Sequence, residues 1–119
     1  MIEDSSEEII KRLKEIDPYK VILFGSCAYG NPNENSDIDL YVVTKYNYIP
    51  KSYRENMDHY LKVSRYLRDL KQNYPIDLIV HTLAMYKKFI ELQSSFSKTI
   101  LSQGRTLISF SGKDKFIDS

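Results

Sequence analysis

The sequence predicts an α+β fold on three observations. Short apolar runs of β-branched residues recur along the chain, segments with apolar residues at helical spacing lie between them, and proline- or glycine-bearing turns mark the joints. Together they give a small sheet of three or four strands packed with four or five helices. A length of 119 residues suits one domain over 1–119, since one core fills at that size and too little chain is left for two.

Residues 5–16 place Ile9, Ile10, Leu13 and Ile16 on one helical face, with Ser5 or Ser6 as the expected N-cap and Glu8 set for a capping box. Asp17-Pro18 stops this helix, because the residue before proline is pushed out of the helical region. "KVILF" at 20–24 is continuously apolar, as a strand covered on both faces must be. Residues 25–30 read as a tight turn opening a brief helical stretch, "NPNENS" at 31–36 as a loop, and 38–43 as the second strand. A long helix follows over about 52–70, in which Tyr53, Met57, Tyr60, Leu61, Val63, Leu67 and Leu70 keep a mostly helical period. Pro75 introduces the third strand, "IDLIVHT", in which Asp77 is the one charge. Helices are expected at about 83–89 and 91–101, ended by Gly104, then a short strand "RTLISF" and a loose tail over about 109–119.

Composition bounds the function. A hydrophobic share of 42% with 28% charged residues is that of a globular protein. No apolar run approaches the roughly 20 residues that cross a bilayer, and the acidic start "MIEDSSEEII" is unlike a secretory signal, so a cytoplasmic protein without a membrane partner is expected. Cys27 is the single cysteine, which rules out an internal disulfide or a cysteine-built zinc site. The net charge of +1 conceals sorting: residues 1–19 hold six acids against three bases, and residues 45–71 hold seven bases against three acids. Such a basic segment attracts phosphates or simply forms a solvated face.

The chemistry is carried by three aspartates. Side chains alternate along a strand, so Asp37 and Asp39 share a face, their Cα atoms about 6.5–7 Å apart, while Ile38 and Leu40 face the core. Two such carboxylates repel unless a cation stands between them, and hard oxygen ligands select Mg²⁺ or Mn²⁺. Asp77, in a third strand that would neighbour the second, supplies a further ligand or acts as a general base. Three carboxylates suffice for the two-ion arrangement of phosphoryl or nucleotidyl transfer. Gly25 and Ser26, at the turn after the first strand, suit close approach to the phosphates of a nucleotide. An Asp-x-Asp pair or a Gly-Ser pair alone is commonplace; the weight rests on their combination with an isolated aspartate in a later strand.

Gly25-Ser26, ten intervening residues and Asp37-Ile38-Asp39 resemble the GSx10DxD signature of the minimal nucleotidyltransferases, the MntA-like antitoxins among them, in the DNA polymerase β superfamily. "FIELQSSFSKTILSQGRTLI" is similar to their C-terminal helix and strand, so the resemblance extends over 20–108. It implies a nucleotidyltransferase fold with a mixed sheet, ATP as substrate, two Mg²⁺ ions on Asp37, Asp39 and Asp77, and triphosphate contacts from Gly25 and Ser26. It also implies an antitoxin that silences a HEPN-type ribonuclease toxin by transferring AMP to one of its tyrosines. Family members often carry arginine after Gly-Ser, whereas this chain has Cys27-Ala28-Tyr29, leaving Lys20, Arg54 or Arg105 to meet the triphosphate. The domains with which larger relatives grip a polymer have no counterpart, so templated synthesis on nucleic acid is not expected. The alternative reading is a binding module that neutralises a partner protein by contact alone, through its ten tyrosines; self-association stays open.

His59 and His81 are the two histidines, and His81, after Asp77 in the same strand, is the better placed to approach the site from the strand end. Ser94, Ser95, Ser97 and Ser102 have no histidine and acid arranged around them, which argues against a serine hydrolase.

Overall fold

The computed structural model describes residues 2–25 and 38–109. Its elements are α1 (Ile2–Leu13), extended by a 3₁₀ turn at Lys14–Ile16, β1 (Lys20–Phe24), β2 (Ile38–Val43), α2 (Tyr53–Ser64), a 3₁₀ turn at Arg65–Leu67, α3 (Arg68–Asn73), β3 (Ile76–His81), α4 (Leu83–Leu92), α5 (Ser95–Gln103) and β4 (Arg105–Ser109). The four strands form one mixed sheet in the order β3-β2-β1-β4. β1 pairs antiparallel with β2 and with β4, and β2 pairs parallel with β3. This is the expected α+β class. The turn and loop expected at 26–36, Ser26 and Asp37 lie outside the described residues, as does the tail from 110 onward.

Strand alternation sorts the sheet residues onto two faces. Val21, Leu23, Ile38, Leu40, Val42, Leu78 and Val80 point to one side, where Ile9 and Leu13 of α1, Val63 of α2, Leu67 of the 3₁₀ turn and Leu70 of α3 close over them. Ile22, Tyr41 and Val43 point to the other, covered by Leu83 and Tyr86 of α4 and Ile100 of α5. Helices on both faces explain why β1 reads as an unbroken apolar run: Val21, Ile22 and Leu23 are all buried. A parallel neighbour needs a crossover, and α2 with α3 supplies it between β2 and β3.

Local signals set most boundaries. Ser52 caps α2, accepting from the Glu55 amide at 3.1 Å, while the Glu55 carboxylate accepts from the Lys51 amide at 2.6 Å. Asp17 takes the left-handed conformation at φ 52 and closes the turn after α1. Three expectations are corrected. The single helix expected over about 52–70 is two, α2 and α3, with the 3₁₀ turn at Arg65–Leu67 between them, and Tyr53 and Leu61 are exposed. α1 begins at Ile2, so Ser5 and Ser6 lie within the helix and do not cap it. The break between the last two helices falls at 93–94 and not near 90, because Gln93 turns left-handed at φ 50 and Ser94 caps α5, accepting from the Ser97 amide at 3.1 Å. Of the serines, Ser94 caps α5, the buried Ser97 donates its hydroxyl to the Ser94 carbonyl, and Ser102 donates to the Lys98 carbonyl.

Candidate active site

The parallel register of β2 and β3 sets Asp39 directly beside Asp77, although 37 residues of crossover separate them in sequence. Neighbouring strands lie about 4.8 Å apart, so two like charges stand at ladder spacing on the same sheet face. The amide of Ile38 donates to the Pro75 carbonyl at 2.7 Å and fixes the start of the ladder, one residue before the acidic pair. On its other flank Asp39 is in register with Phe24, the last residue of β1.

Gly25 follows Phe24 with φ +83, in the region that favours glycine. A Cβ there would fall onto Oδ2 of Asp39, with the Asp39 Cγ at 3.1 Å. The glycine is therefore needed twice, for its backbone conformation and for the room that the carboxylate occupies. Asp39 is half-buried between strand neighbours. Asp77 is exposed, which corrects its buried appearance within an apolar strand, and it forms no ion pair with any described residue.

Beneath the carboxylates the same sheet face carries an aromatic floor. Phe24 meets Phe96 of α5 edge-on at 5.8 Å between centroids, Phe96 meets Phe89 of α4 at 5.9 Å, and Phe89 meets Tyr41 at 5.2 Å. Tyr41, two residues beyond Asp39, is fully buried, and its hydroxyl shares a 2.7 Å hydrogen bond with Nδ1 of His81. Burial, and next the neighbouring Tyr86, pushes the Tyr41 hydroxyl far above the ordinary phenol range. Burial, and next His59, holds His81 below the ordinary histidine range. Sequence reasoning missed this floor; its signal was the alternation Asp39-Tyr41 and Asp77-Ile79-His81, which places an aromatic or apolar group behind each acid.

His81 does not approach the carboxylates. Asp77 is the second residue of β3 and His81 its last, about 13 Å further along the strand. Of the basic residues expected to replace the family arginine, Lys20 is at the far end of β1 and engages Tyr86, with Nζ 3.3 Å from the tyrosine hydroxyl. Arg105 is in register with Leu23, two residues from Gly25, and is exposed.

Two carboxylates side by side offer hard oxygen donors of the kind Mg²⁺ selects, with no described cation paired to Asp77. Among the described residues no group of three metal-ligating side chains gathers, since the third expected ligand, Asp37, lies outside them.

The model of the family described as "Polymerase beta, Nucleotidyltransferase" matches residues 7–112. The chain belongs to that family. No curated protein matches this nucleotidyltransferase significantly. Solved structures do. A crystal structure of a toxin-antitoxin with AMP-PNP superposes with a TM-score of 0.58 at 22% identity, covering 92% of this chain and 77% of that one. A mutant of the toxin-antitoxin MntA-HpeT gives 0.55 at 19% identity, over 92% of this chain and 76% of the other. A tri-AMPylated Shewanella oneidensis HEPN toxin in complex with MNT antitoxin gives 0.52 at 20% identity, over 96% and 77%. At these identities the likeness establishes a shared fold. Among the described residues no helix of the nucleotidyltransferase is long and apolar enough to cross a membrane.

Proposed function

We propose that this nucleotidyltransferase transfers AMP from ATP to a tyrosine hydroxyl of a HEPN-type toxin and so serves as the antitoxin of a toxin-antitoxin pair. The observation that carries the proposal is the register of Asp39 with Asp77, with the Asp39 carboxylate seated against Gly25. That the chain shares its fold with toxin-antitoxin structures, one with AMP-PNP and one with an AMPylated HEPN toxin, supports the nucleotide and the partner.

In this reading Asp37, Asp39 and Asp77 hold two Mg²⁺ ions, and Gly25 and Ser26 receive the triphosphate. The ions, when bound, neutralise charge on the phosphates and orient attacking and leaving oxygens. The protein's own part is positioning. Asp39 is fixed by two strand neighbours and by Gly25, so its carboxylate is aimed before substrate arrives. Asp77, exposed at the start of β3, faces solvent from which an acceptor hydroxyl comes, and takes its proton. The tyrosine oxygen forms a bond to the α-phosphorus, the bond from that phosphorus to the bridging oxygen breaks, and pyrophosphate leaves. The aromatic floor keeps water from the inner side of the acidic pair.

The test is incubation of the protein with α-labelled ATP, Mg²⁺ and the HEPN-type partner from its own genome. Label is expected on a partner tyrosine, and Asp39→Asn and Asp77→Asn should each lower transfer at least ~100-fold. Neutralisation that survives both substitutions at full strength, with no label transferred, would establish the contact-only reading instead.

A further inference from the structure

We infer that the chain carries a second ligand site, for a nucleoside monophosphate, at the end of the sheet opposite the acidic pair. A cavity of about 870 Å³ opens there between the turn after α1, the residues following β2, and α2. Four residues of β2 separate Thr44, on its wall, from Asp39, a distance of roughly 16 Å along the strand. The volume is of the size that holds a nucleotide-sized molecule.

One wall is a helical stripe. His59, Lys62 and Val63 of α2 and Tyr66 of the 3₁₀ turn after it recur at three- and four-residue spacing, and Arg65, which opens that turn, lies three residues beyond Lys62. Lys62 and Arg65 are thus like charges on neighbouring positions, and neither has an acidic partner among the described residues, the Lys62 ammonium lying instead 5.3 Å over one face of the Tyr46 ring. That arrangement is locally unfavourable alone and favourable around an anion. Lys45, the third cation on the cavity, is already held by Asp17 at 2.9 Å. A phosphate is therefore expected between Lys62 and Arg65.

The other walls ask for more than an anion. Tyr46 and Tyr66 are large rings left 52% and 37% exposed at the cavity, flat surfaces on which a base can stack. Glu15 faces in from the turn after α1, an acceptor for ribose hydroxyls or an exocyclic amine. At the cavity wall His59 is 1% exposed, shares a 2.8 Å hydrogen bond through Nε2 with the Thr44 hydroxyl, and leaves Nδ1 with no hydrogen-bond partner. Buried polar atoms are nearly always partnered, so this unmet nitrogen, itself shielded from solvent, is an exception beside the cavity and not a contact for its ligand. Phosphate at the cations, ring on the tyrosines and donors toward Glu15 together describe a nucleoside monophosphate. The inference is independent of the transfer reaction proposed above.

The test is an amide-resolved NMR titration of the full chain with AMP, adenosine and inorganic phosphate, run in EDTA so that metal-dependent binding at the acidic pair is silent. AMP is expected to shift the amides of 44–46 and 59–66 and to spare those around Asp77. Lys62→Ala with Arg65→Ala should weaken AMP ~10-fold or more while adenosine changes little, and Asp77→Asn should leave AMP affinity unchanged. Both cations are exposed, so the double variant is expected to fold, which its far-UV spectrum checks. The inference is overturned if AMP shifts only amides near Gly25, Asp39 and Asp77, if the double variant binds AMP as tightly as the parent, or if phosphate alone matches AMP.

Discussion

Gly25→Ala isolates the contact on which the candidate site depends. An alanine at φ +83 occupies a left-handed region that costs an L-residue about 1–2 kcal/mol. Its Cβ would fall on the Asp39 carboxylate, whose Oδ2 and Cγ must swing aside, and a displaced rotamer adds about 0.5–1.5 kcal/mol. The expected loss is about 2–3 kcal/mol. With an unfolding entropy near 2.1 cal/mol/K per residue, a chain of 119 residues loses about 4 °C in Tm per kcal/mol, so the variant should melt about 8–12 °C lower. The Asp39 Cβ is 3.5 Å from the added methyl, an ordinary contact, so truncating Asp39 to alanine removes the collision and leaves the backbone strain. In an Asp39→Ala background the cost of Gly25→Ala should therefore fall by about 1 kcal/mol, a coupling read from a double-mutant cycle of thermal or urea unfolding. AMP transfer by the single variant should drop at least ~100-fold, because a carboxylate displaced by about 1 Å no longer meets the reacting phosphate. An identical penalty in both backgrounds would refute the claim that Gly25 makes room for Asp39, and transfer within threefold of the parent would refute the site assignment.

Further outcomes follow from the same geometry. Asp77→Asn should abolish transfer yet leave Tm unchanged or slightly raised, since the residue is exposed and its replacement removes a like charge beside Asp39; a Tm loss above ~2 °C in calorimetry would mark it as structural. Tyr41→Phe strips the buried hydroxyl that meets Nδ1 of the half-buried His81 and leaves that nitrogen without its partner, for an expected loss of about 1 kcal/mol by urea unfolding; a neutral substitution would contradict the pairing. His59 and His81 are both held below the ordinary histidine range, chiefly by burial and then by Lys62 and His59 respectively, so the folded chain binds fewer protons than the unfolded one. Stability should accordingly fall as pH drops from about 7 to 5, through the unfolded histidine value near 6.5, and His81→Gln should flatten that fall; a profile flat across this window would reject it.

Most of the fold was legible because both periodicities were strong. The run 20–24 and the alternation of 38–43 gave two strands, and Ser52 and Pro75 bounded the long crossover correctly. Errors arose where two signals competed. Ser5 and Ser6 look like caps, yet α1 starts before them at Ile2. Glu91 reads as a helix start only until Gln93 is seen to take the left-handed conformation, which a sequence does not announce in a non-glycine residue. The same limit governs the site. That Asp39 and Asp77 share a face follows from spacing, but that they share a register is set by the crossover length and the sheet order, quantities fixed by tertiary packing.

The placement of His59 and His81 shows why residue type alone misdirects. Both histidines were weighed for chemistry at the acidic pair, and both lie away from it: His81 closes β3 against Tyr41 and Phe89, and His59 is sealed behind Thr44. The His81 ring nitrogen instead ties β3 to β2 through Tyr41, and the His59 ring nitrogen ties α2 to Thr44 at the end of β2. A strand therefore separates two environments in this protein. At one end Asp39 and Asp77 concentrate negative charge, with Asp77 open to solvent; at the other Lys62 and Arg65 concentrate positive charge around a cavity, with an aromatic layer lying between along one sheet face. Charges at the two ends of the strand interact weakly through water, since the roughly 16 Å of chain from Asp39 to Thr44 exceeds the ~8 Å screening length at physiological salt. Each end is thus free to bind its own ligand, and substitution at one should leave affinity at the other unchanged.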